Sequence, residues 1–435
     1  MKRIISFILC GLLIMGALTG CGKKDSTKET GTTESTETTE STKASESSQN
    51  TTDDSAVIEP VDLKVWHDGD ESIMAIIATK VNDTLKDTGI TVTFEKKTGL
   101  TDQIKLYGND AANGPDMYFY AHDSLGIFAE MGVLAPITDI ISTDVTANLL
   151  PVTMEAGTYK GTQYFLPLYF ETLLFMYNKD LWQGDIPSTT EELYEYMVAN
   201  TDVNAGKYAV VNQHSTAYNV APFINGFGGY IINSEAKPGL NEQATKDAIV
   251  YNQKYAKLQA DGDYNTVNTL FNNKQAAAII GGPWLISGIK EAGINLGFKS
   301  LADFKLPNGN GLAPYTGVQG FGVMKYAVET KKDAIAKVLE VLAGAEVGIE
   351  LAKNSGCAPA NSKAYDDADV TANEMIVAIK DTAQTARPMP NVPEMSVMWG
   401  PTENLLAAVN KSDEDINKSA DKYQEEALTA ISDMQ

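Results

Sequence analysis

The sequence predicts an α/β fold with two domains. A β-α-β pattern opens the folded part, a second run of helices and strands follows it, and together they are too long for one hydrophobic core. From about residue 57 the chain continues for roughly 380 residues, which is more than a single core normally supports. We expect each domain to hold a largely parallel sheet flanked by helices, because β-α-β connections place helices on the faces of the sheet.

The first unit begins with a strand from Val61 to Val65, in which apolar and polar residues alternate. Apolar residues from Ile73 to Leu85 then recur at helical spacing, and Gly89 can end that helix. Alternation returns from Ile90 to Glu95, and Met117 to Tyr120 predicts a further short strand. These elements form the β-α-β unit.

The second run of elements begins at Ser188-Thr189-Thr190-Glu191, a capping-box pattern that predicts the start of a helix. The elements predicted after it are a strand at 208–211, a helix at about 243–260, a helix ending near residue 274 and a buried strand at 276–280. A strand at 321–324 and one long helix at 332–353 come last. The pattern does not show which domain this late segment joins.

The N-terminus has the layout of a secretory signal peptide over residues 1–20. Lys2 and Arg3 precede an apolar run from Ile4 to Leu18 that is too short to span a bilayer comfortably. The segment Leu18-Thr19-Gly20-Cys21 resembles a bacterial lipoprotein box, which implies cleavage before Cys21 and attachment of lipid to that residue. The alternative is plain secretion, with Cys21 left as a spare thiol.

Residues 21–56 are predicted to be a tether that follows the lipidated cysteine. From residue 22 to residue 55 the chain is almost wholly Ser, Thr, Glu, Lys and Gly, without an aromatic residue. Such a segment cannot bury enough apolar surface to offset the entropy cost of ordering, so we expect it to be disordered.

Charge and cysteine content exclude several classes of protein. The formal net charge is -23, and no basic stripe is present, which argues against nucleic-acid binding. Cys10 lies in the signal and Cys21 is the expected lipid site, so Cys357 alone remains in the folded part and no internal disulfide is possible. For Cys357 we expect a buried inert thiol, with a reactive thiol as the alternative.

Four scattered segments place an aromatic residue beside carboxylates or a tight Gly/Pro turn. A flat ring suits the CH face of a sugar, and a carboxylate accepts hydrogen bonds from its hydroxyls. A concave site that offers both contacts is typical of carbohydrate binding, so the segments predict a carbohydrate cleft. The segments are Leu63 to Asp70, Gly114 to Asp123, Gly281-Gly282-Pro283-Trp284, and Met389 to Trp399.

In their order along the chain and in their residues, these segments resemble those of the maltose- and maltodextrin-binding proteins of bacterial ABC importers. Glu171, Tyr177 to Leu181 and Phe227 to Tyr230 extend the resemblance, which runs from about Leu63 to the C-terminus. It implies a two-lobed periplasmic-binding-protein-like fold joined by a multi-crossing hinge, with the ligand in the cleft between the lobes. The implied crossings are near 170, at 317–320 and at 361–371, which gives lobe 1 as 57–170 plus 320–365 and lobe 2 as 171–319 plus 366–435.

The resemblance also implies a set of ligand-binding residues. Carboxylates would accept hydrogen bonds from glucose hydroxyls, aromatic residues would stack on rings or line the cleft, and a methionine would pack against the sugar. Trp66 is expected to line the cleft without touching sugar. The residues are Asp70, Asp123 and Glu171; Trp66, Tyr120, Tyr218, Trp284 and Trp399; and Met389.

Each of these residues has a simpler alternative role. An aromatic residue is often part of the core, a carboxylate is usually just solvated, and Met389 could equally serve to stiffen its turn. Trp284 and Trp399 are favoured as ligand residues because each follows a Pro-containing segment that we expect to form a loop at the cleft edge. The carboxylates are favoured because each closes or follows a predicted strand, where an α/β sheet presents its loops to a ligand.

Some positions depart from the family pattern. Glu71 and Ser124 stand where basic residues are expected, and Gly400 and Glu403 stand where an aromatic and a basic residue are expected. An acceptor cannot replace a donor at the same hydroxyl, so contacts at the ends of the sugar must differ. From these departures we expect a preference for maltotriose or longer chains.

Enzymatic and metal-binding roles find less support. Asp123 and Glu171 could in principle serve as the carboxylate pair of a glycosidase. The resemblance, however, is to a transport family whose members catalyse no reaction. Residues 261–265 begin like a calcium loop, yet Thr266 takes the place of the required glycine. The three histidines show no metal spacing, so no metal or cofactor is expected.

Together these observations predict a monomeric, lipid-anchored solute-binding protein on the outer face of a bacterial membrane. It would capture maltose and maltooligosaccharides and deliver them to the permease subunits and ATPase of an ABC importer. Two alternatives stay open: a surface-tethered glycan adhesin, and a receptor of the same fold for another oligosaccharide.

Overall fold

The folded part is built on two main β-sheets with helices packed around them. The computed structural model describes residues 60–434, apart from the side chains of Gln259 and Ala260. The predicted signal peptide, the lipid site Cys21 and the tether lie outside the described residues. None of the helices within residues 60–434 combines the length and apolar character that a bilayer span needs.

The bounds of the elements are as follows. The strands are β1 (Val61–His67), β2 (Ile90–Lys96), β3 (Met117–Ala121), β4 (Thr158–Tyr159), β5 (Thr162–Gln163), β6 (Phe165–Thr172), β7 (Leu174–Asn178), β8 (Tyr208–Val211), β9 (Ala276–Gly281), β10 (Leu296–Lys299), β11 (Tyr315–Val323), β12 (Ala358–Pro359) and β13 (Arg387–Pro388). The helices are α1 (Glu71–Leu85), α2 (Leu100–Tyr107), α3 (Leu125–Glu130), α4 (Thr143–Thr146), α5 (Pro151–Ala156), α6 (Thr190–Asn200), α7 (Ala217–Gly226), α8 (Gln243–Tyr255), α9 (Tyr264–Asn272), α10 (Ile286–Glu291), α11 (Lys325–Ala343), α12 (Ala345–Ser355), α13 (Ala368–Thr371), α14 (Glu374–Thr382), α15 (Trp399–Ser412) and α16 (Ile416–Ser432).

The first sheet has the strand order β12-β6-β11-β3-β1-β2, with β13 paired to β11. The β-α-β unit predicted from the sequence is present, because β1 runs parallel to β2 and β3. Strand β11 is antiparallel to both β3 and β6, and β12 is antiparallel to β6. The core of this part includes the fully buried rings of Phe119, Phe165 and Phe321.

The second sheet has the strand order β10-β7-β9-β8. Strands β8 and β9 are parallel, whereas β7 is antiparallel to both β9 and β10. Phe175, Phe271 and Phe304 are fully buried in this part.

The α/β fold is confirmed, but the expectation of largely parallel sheets is wrong, because both sheets are mixed. Only Leu173 separates β6 from β7, so the chain passes directly from the first sheet to the second at this point. It returns to the first sheet through β11, which therefore runs opposite to β6. Two neighbouring strands can be parallel only if a crossover connection joins them. No such connection joins β6, where the chain leaves the first sheet, to β11, where it returns. The division into two lobes with the stated bounds stays a prediction.

Two local predictions need correction. The capping box lies one residue later than expected, since Thr189 is the N-cap and Glu192 its reciprocal partner, with both bonds at 3.1 Å. The single long helix predicted over 332–353 is two helices, because Gly344 has extended backbone angles between α11 and α12. Helical periodicity alone continues across such a break, so the pattern did not reveal it.

Candidate functional site

The carboxylate of Glu171 lies at the junction of three strands of the first sheet. Glu171 on β6 is paired with Gly317 on β11, and its neighbour Phe170 is paired with Ala358 on β12. Gly317 lies next to the Glu171 side chain, since a Cβ there would be in ordinary contact with the Cγ of Glu171 at 3.5 Å. The site is therefore built around a carboxylate on a rigid strand rather than on a loop.

Glu171 has no hydrogen-bond donor of its own in the described part of the chain. Burial raises the pKa of its carboxyl group, and no N–H or O–H group of residues 60–434 offsets that burial. A desolvated polar group without a partner costs free energy, so such groups normally find a protein, water or ligand partner. A ligand that carries hydroxyl groups could supply the missing donors.

Tyr169 and Cys357 lie near both Glu171 and Asp70. Burial raises the pKa of the Tyr169 hydroxyl, and the charges of Cys357, Glu171 and Asp70 add to the rise. Burial likewise raises the pKa of the Cys357 thiol to about 12, with further contributions from Glu171 and Asp70. The thiol is only half-buried, but at neutral pH it stays protonated and therefore unreactive.

Asp70 is held at the N-terminus of α1. Its Oδ1 accepts hydrogen bonds from the backbone N–H groups of Ser72 at 2.8 Å and Ile73 at 3.3 Å, and also from the Ser72 hydroxyl. These hydrogen bonds lower the pKa of Asp70, and the bond from the Ser72 hydroxyl has the largest effect. The carboxylate is therefore charged. Within the described residues the second oxygen, Oδ2, accepts no hydrogen bond and remains available to a ligand.

Tyr218 and Trp284 form the aromatic part of the site. The Tyr218 ring lies 6.2 Å from the Trp284 ring and 6.3 Å from the Tyr315 ring. Burial raises the pKa of the Tyr218 hydroxyl, and the nearby Glu171 carboxylate adds to the rise. The structure thus brings Tyr218, from α7, to Glu171, from the first sheet.

The segment Gly281-Gly282-Pro283-Trp284 runs from the last residue of β9 into a single 3-10 turn, Pro283–Leu285, whose N-cap is Gly282. A Cβ at Gly282 would lie 2.1 Å from the Trp284 ring, so only glycine permits this fold of the indole over the backbone. Trp284 remains 43% exposed, which is unusual for so large an apolar ring. Its exposed face is available for stacking.

Trp399 is half-buried and is the first residue of α15, rather than part of a loop as expected. Helix α15 lies against α7, where the backbone N–H of Ala217 donates to Oε1 of Glu403 at 3.4 Å. The helix that begins at Trp399 is therefore next to the helix that carries Tyr218.

His122 holds Met389 and the start of the Asp123 turn in place. Its Nδ1 accepts a hydrogen bond from the backbone N–H of Val318 at 3.1 Å, so Nε2 carries the proton and donates to the Met389 carbonyl at 2.9 Å. Asp123 is exposed beside it. Burial lowers the pKa of His122, which keeps the ring neutral in this role.

Met389 also lines a cavity of about 330 Å³. Tyr315, Asn225, Tyr230 and Arg387 line the same cavity. Because the Tyr315 ring contacts Tyr218 as well, the cavity is adjacent to the aromatic part of the site.

Within residues 60–434, neither Trp66 nor Tyr120 makes a hydrogen bond or a ring contact with Glu171, Tyr218 or Trp284. Trp66 is 4% exposed, donates from Nε1 to Glu95 at 3.1 Å and meets Tyr107 edge to face. Tyr120 is half-buried at the end of β3, opposite Gly320. Their roles as ligand residues stay predictions.

Sequence reasoning missed Tyr169, Tyr315 and Cys357. Tyr169 could have been found, because it lies two residues before Glu171 on one strand and so shares its face. Cys357 could not, since only the long-range pairing of β12 with β6 brings it to Glu171. No group of three or more His, Cys, Asp or Glu side chains within residues 60–434 could hold a metal ion.

The buried histidines predict a pH-dependent stability. Burial lowers the pKa of His122, of His214 and of His67, so all three favour the neutral form in the folded chain while the unfolded chain takes up protons near pH 6.5. Their contribution is fully present above that pH and is lost as the pH falls. We expect the free energy of unfolding, measured by urea titration, to fall from pH 7.5 to 5.5 by up to about 1.4 kcal/mol per pH unit for each histidine.

The variant His122→Gln should show a flatter pH dependence over the same range, since one of the three buried histidines no longer takes up a proton on unfolding. The raised pKa of Glu171 acts with the opposite sign, because its protonated form is favoured in the folded chain and this contribution is lost as the pH rises through the folded pKa. An identical slope in His122→Gln and the unaltered chain would contradict the assignment.

Comparisons with known proteins identify the family of the chain. The family model for bacterial extracellular solute-binding proteins matches residues 81–378. A maltotriose-binding protein of Pyrococcus abyssi is 30% identical over 380 residues, covering 85% of this chain and 80% of that protein. A galactooligosaccharide-binding protein of Bacillus subtilis is 26% identical over 447 residues, covering 99% of this chain and 97% of its own length.

The fold also matches a solved structure, a cyclo/maltodextrin-binding protein complexed with maltotetraose. The TM-score is 0.77 at 26% identity, and the match covers 86% of this chain and 97% of the other. The family model spans more than half of the chain, and the Pyrococcus relative extends the similarity over most of it. The chain therefore belongs to the bacterial extracellular solute-binding proteins.

Proposed function

We propose that the chain captures maltose and maltodextrins, α-1,4-linked gluco-oligosaccharides, and delivers them to an ABC importer. The observation that carries this proposal is the desolvated Glu171 carboxylate, which has no donor in the described residues and lies beside the Tyr218 ring. A sugar offers hydroxyl donors to the carboxylate and a CH face to the ring at the same time.

The elements that meet at Glu171 come from both halves of the fold. Asp70 begins α1 of the first sheet region, whereas Trp284 follows β9 of the second sheet. A ligand that contacts both would stabilise the arrangement in which they are close, by as much as its affinity differs between the open and closed forms. The permease could then distinguish loaded from empty receptor. The lobe bounds and the three hinge crossings inferred from the sequence are part of this proposal.

The relatives support an oligosaccharide ligand. The Pyrococcus protein is named for maltotriose, and the solved structure holds maltotetraose. We assign the remaining sequence-predicted residues, Tyr120, Asp123, Met389, Trp399 and Trp66, to the lining of the same cleft. Capture requires no covalent step, so we propose a receptor rather than an enzyme.

The partners follow from the class of protein. The loaded receptor would meet the permease subunits of an importer driven by an ATPase, and it would act as a monomer. We propose that a lipid on Cys21 anchors it to the outer face of the membrane, because the segment before Cys21 has the lipoprotein-box pattern.

A second candidate is a receptor for galactooligosaccharides. It is favoured by the Bacillus relative, whose similarity covers nearly the whole of this chain. The acidic and small residues Glu71 and Ser124, which stand where the maltodextrin pattern has basic ones, are compatible with a different sugar end.

Calorimetric titration with soluble oligosaccharides separates the candidates. We expect maltotriose and maltotetraose to bind with micromolar or tighter affinity, about -8 kcal/mol or better, and maltose to bind more weakly. Galactooligosaccharides of the same length are the matched comparison. Tighter binding of the galactosyl chains would transfer the assignment to them, while binding only to insoluble glucan would indicate an adhesin.

Glu171→Gln tests the carboxylate that carries the proposal. The amide keeps the shape of the side chain but loses the charge that strengthens hydrogen bonds from hydroxyls, so maltotriose binding should weaken by about 1.5 to 3 kcal/mol. The stability of the ligand-free protein should not fall, because a desolvated charge is removed. The exposed Glu340→Gln on α11 is the matched control, and unchanged affinity in Glu171→Gln would contradict the assignment.

Trp284→Ala tests the stacking surface. Loss of the exposed indole should weaken maltotriose binding about 10- to 150-fold, equivalent to about 1.5 to 3 kcal/mol of apolar contact. Tyr264→Ala on α9 is the matched control, since this ring is 48% exposed against 43% for Trp284. Equal affinity of the two variants would show that the indole does not touch the ligand.

A further inference from the structure

Helix α15 holds the segment that leads into α7. Asn410 donates from Nδ2 to the His214 carbonyl at 2.8 Å and to the Ser215 hydroxyl at 3.2 Å. Glu403 accepts from the backbone N–H of Ala217 at 3.4 Å. Glu403 and Asn410 are seven residues apart, about two helical turns, so they lie on the same face of α15. Three contacts from one helix face therefore hold three of the four residues from His214 to Ala217, before and at the start of α7.

Helix α7 does not supply its own N-terminal cap. Its N-cap residue, Thr216, makes no side-chain hydrogen bond to the first turn. The first N–H groups of a helix lack partners within the helix and carry a partial positive charge. A carboxylate is the most favourable partner at this position, and Glu403 provides one from a different helix.

The capped turn carries a central residue of the site. Tyr218 directly follows Ala217, and its ring contacts Trp284 and Tyr315. A small change in the direction of the first turn of α7 would therefore move the Tyr218 ring relative to Glu171 and Trp284. The capping helix itself begins with Trp399, so the same contact sets the spacing of two aromatic positions.

We infer that Glu403 is a positioning residue for ligand binding: its carboxylate caps α7 and thereby fixes Tyr218 in the cleft. This inference rests on the proposed function for its effect on sugar affinity. It gives a physical reason for an acidic residue where the resemblance predicts a basic one, because a cation at this end of α7 would be repelled by the helix dipole. Glu403 thus serves the helix rather than the sugar.

Three substitutions at Glu403 test the inference through maltotriose affinity. Glu403→Gln keeps an acceptor and should bind within about twofold of the unaltered chain, whereas Glu403→Ala should bind about 5- to 10-fold more weakly. Glu403→Arg should be weaker still. The control is Asn404→Ala, an exposed neighbour whose side chain contacts only Glu426 among the described residues.

A double-mutant cycle distinguishes positioning from direct contact with sugar. In a Tyr218→Ala background, Glu403→Ala should have little further effect, because the positioned ring is already gone. In an Asp70→Asn background its effect should be undiminished. An equal effect in both backgrounds, or none in the unaltered chain, would overturn the inference.

A ligand-free measurement keeps this inference separate from the proposed function. Amide hydrogen exchange of the peptide covering residues 214–222 should be faster in Glu403→Ala than in the unaltered chain, and restored in Glu403→Gln. If the unaltered chain binds no maltooligosaccharide, the proposed function fails while this exchange result still decides whether Glu403 caps α7. Unchanged exchange in Glu403→Ala would refute the cap.

Discussion

The placement of the Glu171 carboxylate in a half-buried position, without a protein hydrogen-bond donor among residues 60–434, is the constraint on which the rest of the site depends. Glu171 occupies the end of β6, between β11 and β12, at the point where the chain leaves the first sheet for the second. Pairing with neighbouring strands on both sides holds the backbone that carries this group. Hydrogen bonds donated by a ligand would offset the cost of its partial desolvation.

The neighbours of Glu171 explain how a neutral, hydroxyl-rich ligand could be recognised by so acidic a chain. One carboxylate oxygen of Asp70 caps α1 and the other remains available to a ligand. Tyr218 and Trp284 add apolar ring surface. Cys357 remains protonated, so it adds no charge to the site. Directional acceptors and flat apolar faces together select a sugar, whereas the overall net charge of -23 contributes little to this choice.

Local patterns in the sequence predicted those parts of the fold that local physics decides. The strand and helix that flank Asp70 follow from alternation and helical spacing, and the α/β class follows from their order. Contacts between distant segments were not predictable in this way. The proximity of Cys357 to Glu171, the cap of α7 by Glu403 and the mixed direction of the sheets all depend on long-range topology. Family resemblance identified Glu171, Tyr218 and Trp284 before any of these contacts could be seen.

A crystal structure of the chain with maltotriose is the most direct test of the central claim. The account predicts a glucose hydroxyl within about 3.2 Å of a Glu171 carboxylate oxygen, with a sugar ring against the exposed face of Trp284. Maltotriose bound at another place, or a Glu171 carboxylate without any sugar hydroxyl in hydrogen-bond range, would contradict it.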